Sequence, residues 1–221
     1  MDIVYAHDNR LNNLLQRSQA SFLKHNKDVV FHQITKDELG LLNEFTSELC
    51  GFQHVSTACF LRLLIPLLFP HLDRALYVDC DTLCLDNIEE FYNADFEGNY
   101  LMGVRGIAYS DMQAKQLDIP HYINSGVLMF NIPLMNKEDY FQQIKDKWKD
   151  SLGKQVPYSA DETIINWCFH DKIKLMSEKY NYCYNRGYGD RAVDKPVILH
   201  FVGQDKSAML KYMYGKNINY K

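Results

Sequence analysis

The stretch Leu76-Tyr77-Val78-Asp79-Cys80-Asp81-Thr82 decides how this chain is read. With Ala75 in front of it, an apolar run of strand length ends abruptly on two carboxylates one residue apart. In extended chain, residues i and i+2 share a face, so Asp79 and Asp81 are expected side by side. Two carboxylates so placed repel, and both stay ionised cheaply only with a cation between them. Oxygen ligands favour Mg²⁺ or Mn²⁺, and either ion also grips the phosphates of a nucleotide. The bland alternative is a turn in which one aspartate caps a helix and the other faces water.

Outward from this motif, the chain alternates strands and helices. Upstream, Ile3-Val4-Tyr5-Ala6 reads as a buried strand and Val29-Val30-Phe31 as a second strand. Asn12 to Lys24 and Lys36 to Cys50 read as helices. Ser56 is placed to cap a helix that turns Cys59, Phe60, Leu63 and Leu64 inward, with Pro66 expected to end or kink it. Downstream, Asp86-Asn87-Ile88-Glu89 has capping-box spacing for a short helix. Leu101 to Val104, Val127 to Ile132 and Val197 to Phe201 read as strands, and Pro133 to Lys149 and Asp161 to Phe169 as helices. The fold class expected is α/β, a single domain with a mixed, mostly parallel, Rossmann-like sheet flanked by helices. In such sheets ligands gather at the carboxyl ends of strands.

A chain of 221 residues suits one domain, and its 47% apolar content is that of an ordinary soluble protein. A net charge of −4 with interspersed signs excludes a dedicated nucleic-acid binder. The opening MDIVYAHDNR lacks the basic-then-apolar pattern of a signal peptide. The most apolar stretch, Ala58 to Phe69, contains Arg62 and Pro66 and falls short of the roughly 20 residues a membrane span needs. Six cysteines without a C-x-x-C pair read as reduced core residues, which points to the cytoplasm.

A third ligand is offered late in the chain. Ile198-Leu199-His200-Phe201-Val202-Gly203 ends a buried strand on an imidazole, a good partner for Mn²⁺ beside two carboxylates. The competing reading is a hydrogen-bonded core histidine. Gly203 and Lys206 favour the ligand reading, since glycine lets backbone approach a phosphate and lysine brings a point charge to it.

Paired aspartates after a strand also occur in haloacid-dehalogenase-type phosphatases, whose pattern is D-x-D-x-T. Here Thr82 follows Asp81 directly and Leu83 fills the threonine position, which weakens that reading.

Taken in order along the chain, six segments resemble glycosyltransferase family 8, retaining enzymes of the lipooligosaccharide galactosyltransferase and glycogenin kind. They are Asp2 to Ala6 with Asp8 and Asn9, Phe60 to Pro66, Tyr77 to Asp81, Ile123 to Leu128, Asp161 to Asn166 and His200 to Lys206. The resemblance implies a GT-A fold over residues 1–206 with a basic, aromatic tail at 207–221. It implies a UDP-sugar donor and Mn²⁺, with Mg²⁺ the alternative, held by Asp79, Asp81 and His200. It would set Ala6, Asp8 and Asn9 near the nucleoside, Arg62 near the sugar or diphosphate, and Gly203 and Lys206 at the β-phosphate. Cys80 and Ser125 would join the donor-binding set, and Asn124 and Asp161 would bracket the transferred sugar. Asn124, Asp161 and Glu162 are the expected catalytic residues. Two departures stand out: Glu162 where relatives often carry glutamine, and Ser207-Ala208 where they often carry Pro-Trp.

On this reading a hexose passes from the UDP-sugar to a saccharide or lipid-linked acceptor. A non-catalytic nucleotide-sugar-binding domain is the alternative. Lys211, Lys216 and Lys221 with Tyr212, Tyr214 and Tyr220 offer a peripheral membrane contact, against the plainer reading of a solvated tail.

Overall fold

The computed structural model describes residues 1–7, 11–42, 57–106, 108–151, 160–184, 193, 195–203 and 207–213. Its strands are β1 (Asp2–Ala6), β2 (Val30–Ile34), β3 (Arg74–Val78), β4 (Thr82–Cys84), β5 (Leu101–Arg105), β6 (Ile123–Asn131), β7 (Ile173–Met176), β8 (Tyr182–Cys183) and β9 (Ile198–His200). Its α-helices are α1 (Asn12–His25), α2 (Ile65–Leu68), α3 (Glu89–Tyr92), α4 (Ala108–Leu117), α5 (Ile132–Lys137), α6 (Tyr140–Ser151), α7 (Ala160–Phe169) and α8 (Ser207–Met213).

Six strands form the main sheet in the order β2-β1-β3-β6-β5-β7, and β4-β9-β8 form a small second one. In the main sheet β6 alone runs against its neighbours β3 and β5, while the other pairs are parallel. This is the mixed, mostly parallel α/β sheet the sequence implied.

Alternation along the strands builds two cores. Val4, Ala6, Ala75 and Tyr77 face one side of the sheet with Leu61, Leu64 and Ile165. Ile3, Tyr5, Leu76 and Val78 face the other with Phe22, Phe91 and Leu199. Such two-sided burial explains why these strands read as continuous apolar runs.

Several local expectations need correction. Lys36–Leu42 and Thr57–Leu64 are 3-10 helices, and residues 43–56, including Ser56, lie outside the described residues. Pro66 does not end a helix but opens one, α2, where its missing N–H costs nothing. Pro133 to Lys149 is two helices, split at Asp139, whose φ of 49° is left-handed. The capping box at Asp86 does not form: Asn87 Oδ1 accepts from Glu89 N instead, and α3 begins later. The short sheet strands β4 and β8, the edge strand β7 and helix α4 had no clear periodic signal. Beyond residue 206, α8 buries Met209 in the second core, so the packed domain extends into the segment read as tail. Residues 214–221 lie outside the described ones. No described helix is long and apolar enough to cross a membrane, and none of the five described cysteines is in a disulfide.

Candidate active site

The two aspartates sit where the chain leaves one sheet for the other. Thr82 turns it back, its N–H and Oγ1–H both donating to Asp79 O at 3.2 and 2.8 Å. The carboxylates therefore meet through a turn between β3 and β4, not through an extended strand as the i, i+2 argument supposed. The second sheet then delivers the histidine, because antiparallel pairing sets His200 opposite Thr82, and Phe201 N–H donates to Asp81 O at 2.9 Å.

His200 Nε2 lies 3.5 Å from Asp79 Oδ2 and 3.6 Å from Asp81 Oδ1. All three candidate ligand atoms fall within 4.8 Å of one another. Ligands about 2.1 Å from one ion, at octahedral angles, stand about 3 Å apart, so a modest contraction makes these residues fit a hard divalent cation. Burial opposes charge on His200, but Asp81 and Asp79 outweigh it and hold its pKa well above the ordinary value.

Gly126 makes room for this grouping. A Cβ there would lie 2.7 Å from His200 Nδ1 and 2.8 Å from Asp79 Oδ2. Gly126 O also accepts from Asp79 N–H at 2.8 Å, tying β6 to the end of β3. Pairing of β6 with β5 slips here, with Leu128 opposite Gly103 but Asn124 opposite Val104. The bulge re-aims the Asn124-Ser125-Gly126 segment at the site, a common use of a bulge.

Arg62 organises the floor. Its guanidinium, 5% exposed, donates from Nε to Cys59 O at 2.8 Å and from Nη1 to Ser125 O at 2.6 Å. Its Nη2 lies 3.2 Å from Asp79 Oδ1, and its Cζ sits 4.5 Å from the centroid of the Tyr77 ring. Tyr77 donates its hydroxyl to the same Asp79 oxygen at 2.5 Å. Asp79 thus divides its carboxylate, Oδ1 held by Arg62 and Tyr77, Oδ2 facing His200. Burial disfavours the Asp79 charge, but Arg62 and then His200 prevail and hold its pKa well below the usual carboxylate range.

Asp161, in the first turn of α7, is 4% exposed. Its Oδ2 lies 2.9 Å from Arg62 Nε, yet that N–H points at Cys59, and the oxygen is left without a well-directed hydrogen bond. Burial raises the Asp161 pKa and Arg62 pulls it back only in part. Beside it, Glu162 Oε2 accepts from Asn124 Nδ2 and from Ser125 N, both at 2.9 Å. Burial lifts its pKa to about 7 against the opposing pull of the Ser125 N–H.

Sequence reasoning missed the device that locks α7 to the bulge. Asn166 Oδ1 accepts from Ile123 N at 2.7 Å and its Nδ2 donates to Ile123 O at 2.9 Å. An asparagine on the buried side of Ile164-Ile165-Asn166 was the available signal. Gly126 and Tyr77 were likewise quoted without a role.

Of the remaining expected residues, Ala6 ends β1, two residues beyond the Val4–Tyr77 pair of the parallel β1–β3 ladder. The Cys80 side chain packs into the second core, so its side chain does not line the site. Ser125 is engaged by Arg62 and Glu162. Gly203 has a φ of 97°, a conformation suited to glycine. Asp8, Asn9 and Lys206 lie outside the described residues.

Residues 5–207 match the model of glycosyl transferase family 8. The chain belongs to glycosyl transferase family 8. The transferase class expected from the sequence is the family's own, and the phosphatase reading lapses. The chain is 25% identical over 135 residues to a putative glycosyltransferase of Haemophilus influenzae, covering 58% of this chain and 40% of that one. It is 29% identical over 153 residues to an Escherichia coli lipopolysaccharide 1,2-glucosyltransferase, covering 61% of this chain and 44% of that one. The chain thus spans less than half the length of these curated relatives. Among solved structures it resembles the galactosyltransferase LgtC in complex with donor and acceptor sugar analogs, with a TM-score of 0.73 at 18% identity over 97% of this chain and 94% of that one. That likeness carries the GT-A fold.

Proposed function

We propose that this chain transfers a hexose from a UDP-sugar to a saccharide or lipid-linked acceptor with retention of anomeric configuration, using Mn²⁺. The observation that carries the reading is the convergence of Asp79, Asp81 and His200 on one small volume; close by, a buried carboxylate oxygen of Asp161 pairs with Arg62 but lacks a well-directed hydrogen bond. Family membership supplies the reaction class. LgtC, solved with donor and acceptor sugar analogs, lends the two-substrate arrangement.

Asp79 Oδ2, Asp81 Oδ1 and His200 Nε2 would hold the ion, with Mg²⁺ the alternative. A divalent ion there supplies positive charge against the diphosphate that departs, with no proton donor needed. Gly203 and Lys206 would receive the β-phosphate, and Ala6, Asp8 and Asn9 the nucleoside. The oxygen of Asp161 that lacks a good hydrogen bond would accept one from a sugar hydroxyl, since a buried acceptor left unmade is costly. Arg62, held by Asp79, Cys59 and Ser125, would favour the ionised form of the neighbouring carboxylates and stand near the sugar or diphosphate of the donor. Asn124 and Ser125 hold Glu162 by hydrogen bonds. Retention would follow either from attack by the acceptor on the leaving-group face or from a two-step reaction in which the Glu162 carboxylate is the nucleophile. A carboxylate in place of an amide makes the second route chemically easier.

The test is release of UDP from a panel of UDP-hexoses, with and without Mn²⁺ and with candidate saccharide acceptors. Mn²⁺-dependent release from one donor is expected. Tight donor binding without any release would instead make the chain a nucleotide-sugar binder.

A further inference from the structure

Three hydrogen bonds link Glu162 to His200 through Asn124 and Asn181, and their directions can be assigned from fixed points. Gly126 N–H, a backbone donor, points at Asn124 Oδ1 at 3.0 Å, so that atom is the amide oxygen. The same oxygen lies 2.9 Å from an Asn181 side-chain atom, which must therefore be the donor Nδ2. Asn181 then presents Oδ1 to His200 Nδ1 at 3.1 Å. An acceptor facing Nδ1 requires a hydrogen on Nδ1. At the other end the assignment agrees: Asn124 Nδ2 donates to Glu162 Oε2, which also accepts from Ser125 N–H. Two backbone amides thus set the orientation of both asparagines, and the asparagines set the histidine.

We infer that Asn181 is a positioning residue that holds His200 with its hydrogen on Nδ1, leaving Nε2 turned to Asp79 and Asp81 as a metal ligand. Asn181 is buried, stands at the entrance of the two-residue strand β8, and received no role from the sequence. The neighbouring strand pairing brings Cys183 opposite His200 and so keeps the asparagine within reach of the ring. Metal-binding histidines commonly donate their second ring N–H to an oxygen of this kind, which fixes both tautomer and ring plane. The same amide also supports Asn124, so one side chain couples the ligand histidine to the carboxylic acid of Glu162. The inference rests on the reading of His200 as a ligand.

The test is Mn²⁺ binding to the donor-free protein, followed by the electron paramagnetic resonance signal of free Mn²⁺, for the wild type, H200A, N181L and N181D. N181L keeps the volume and removes the acceptor; a fall in affinity of about tenfold or more is expected. N181D keeps an acceptor towards Nδ1 and the native shape, and should bind Mn²⁺ within about threefold of the wild type. It should nevertheless lower turnover, because a carboxylate cannot donate to Asn124 Oδ1. Equal loss in N181D and N181L, with both melting cooperatively, would overturn the positioning role. So would wild-type affinity in N181L while H200A binds poorly. Should N181L fail to fold, the N181D affinity decides alone: a tenfold loss there refutes an acceptor role. If H200A binds Mn²⁺ as the wild type does, the ligand reading itself has failed, and the inference falls with it.

Discussion

Gly126 and His200 share one space: a single methyl on the glycine would stand 2.7 Å from the imidazole Nδ1. Neither residue can be chosen independently of the other. A G126A variant must push His200 or Asp79 aside, and both are candidate ligands. Mn²⁺-dependent UDP release should fall by about tenfold or more, on the scale seen when the partners that orient metal ligands are lost. Melting and Mn²⁺ titration of the same variant check it; unaltered Mn²⁺ affinity would show that the ring has room the structure does not give it.

Arg62 is the only described cation packed against both Asp79 and Asp161 by an ion pair. Removing it in R62A strands the buried Asp161 and the half-buried Asp79, and breaking a buried pair costs about 3–5 kcal/mol. The loss is expected in urea unfolding at neutral pH and should shrink in acid, where those carboxylates take up protons. R62K keeps the charge but not the planar fork that reaches Cys59, Ser125 and Asp79 together, so it should recover only part of the stability. Full recovery by lysine would mean that charge alone matters.

His200 carries a pKa held above its ordinary value by Asp81 and Asp79, against the opposing effect of burial. The metal-free site therefore favours the imidazolium, whereas a ligand must be neutral. Each Mn²⁺ bound should therefore release a proton, and apparent affinity should rise with pH by up to about tenfold per unit below that pKa. Calorimetry in buffers of different ionisation enthalpy counts the proton. D79N, D81N and H200A should each abolish metal-dependent turnover, as should chelation, with recovery on adding Mn²⁺ back to the wild type alone.

Glu162 is neutral below and ionised above about 7 because burial raises its pKa. If its carboxylate is the nucleophile, turnover rises with pH through that value. E162Q should then lose this step and on the order of 10²-fold or more in rate, the scale of an engaged acid or base. Near-normal rates in E162Q would remove Glu162 from that role. Stability has the opposite dependence. The raised pKa favours the protonated native state, so wild-type stability declines as pH rises from the ordinary 4.5 towards about 7. A glutamine can still accept from Asn124 and Ser125, so E162Q should melt higher than the wild type at pH 8, with the difference closing in acid.

The strands β1, β3 and β6 and the helices α1 and α7 were legible because each is buried along a regular face, and burial writes a period into the residues. So was the pairing of Asp79 with Asp81, two carboxylates too close in sequence to be far apart in space. The sequence by itself therefore determined an α/β sheet, an acidic strand end and a histidine strand end, together with the family they resemble. What only the tertiary structure decided is how they meet. Thr82 folds the motif into a turn; the pairing of β4 with β9 brings residue 200 to residue 82. The β6 bulge and the small Gly126 clear the space, and Asn181 orients the ring from a strand too short to show any periodicity. The decisive contacts join residues far apart in the chain, 82 with 200 and 126 with 200, and such contacts leave no local pattern: a glycine required by a neighbour's imidazole looks, in the chain, like any other glycine.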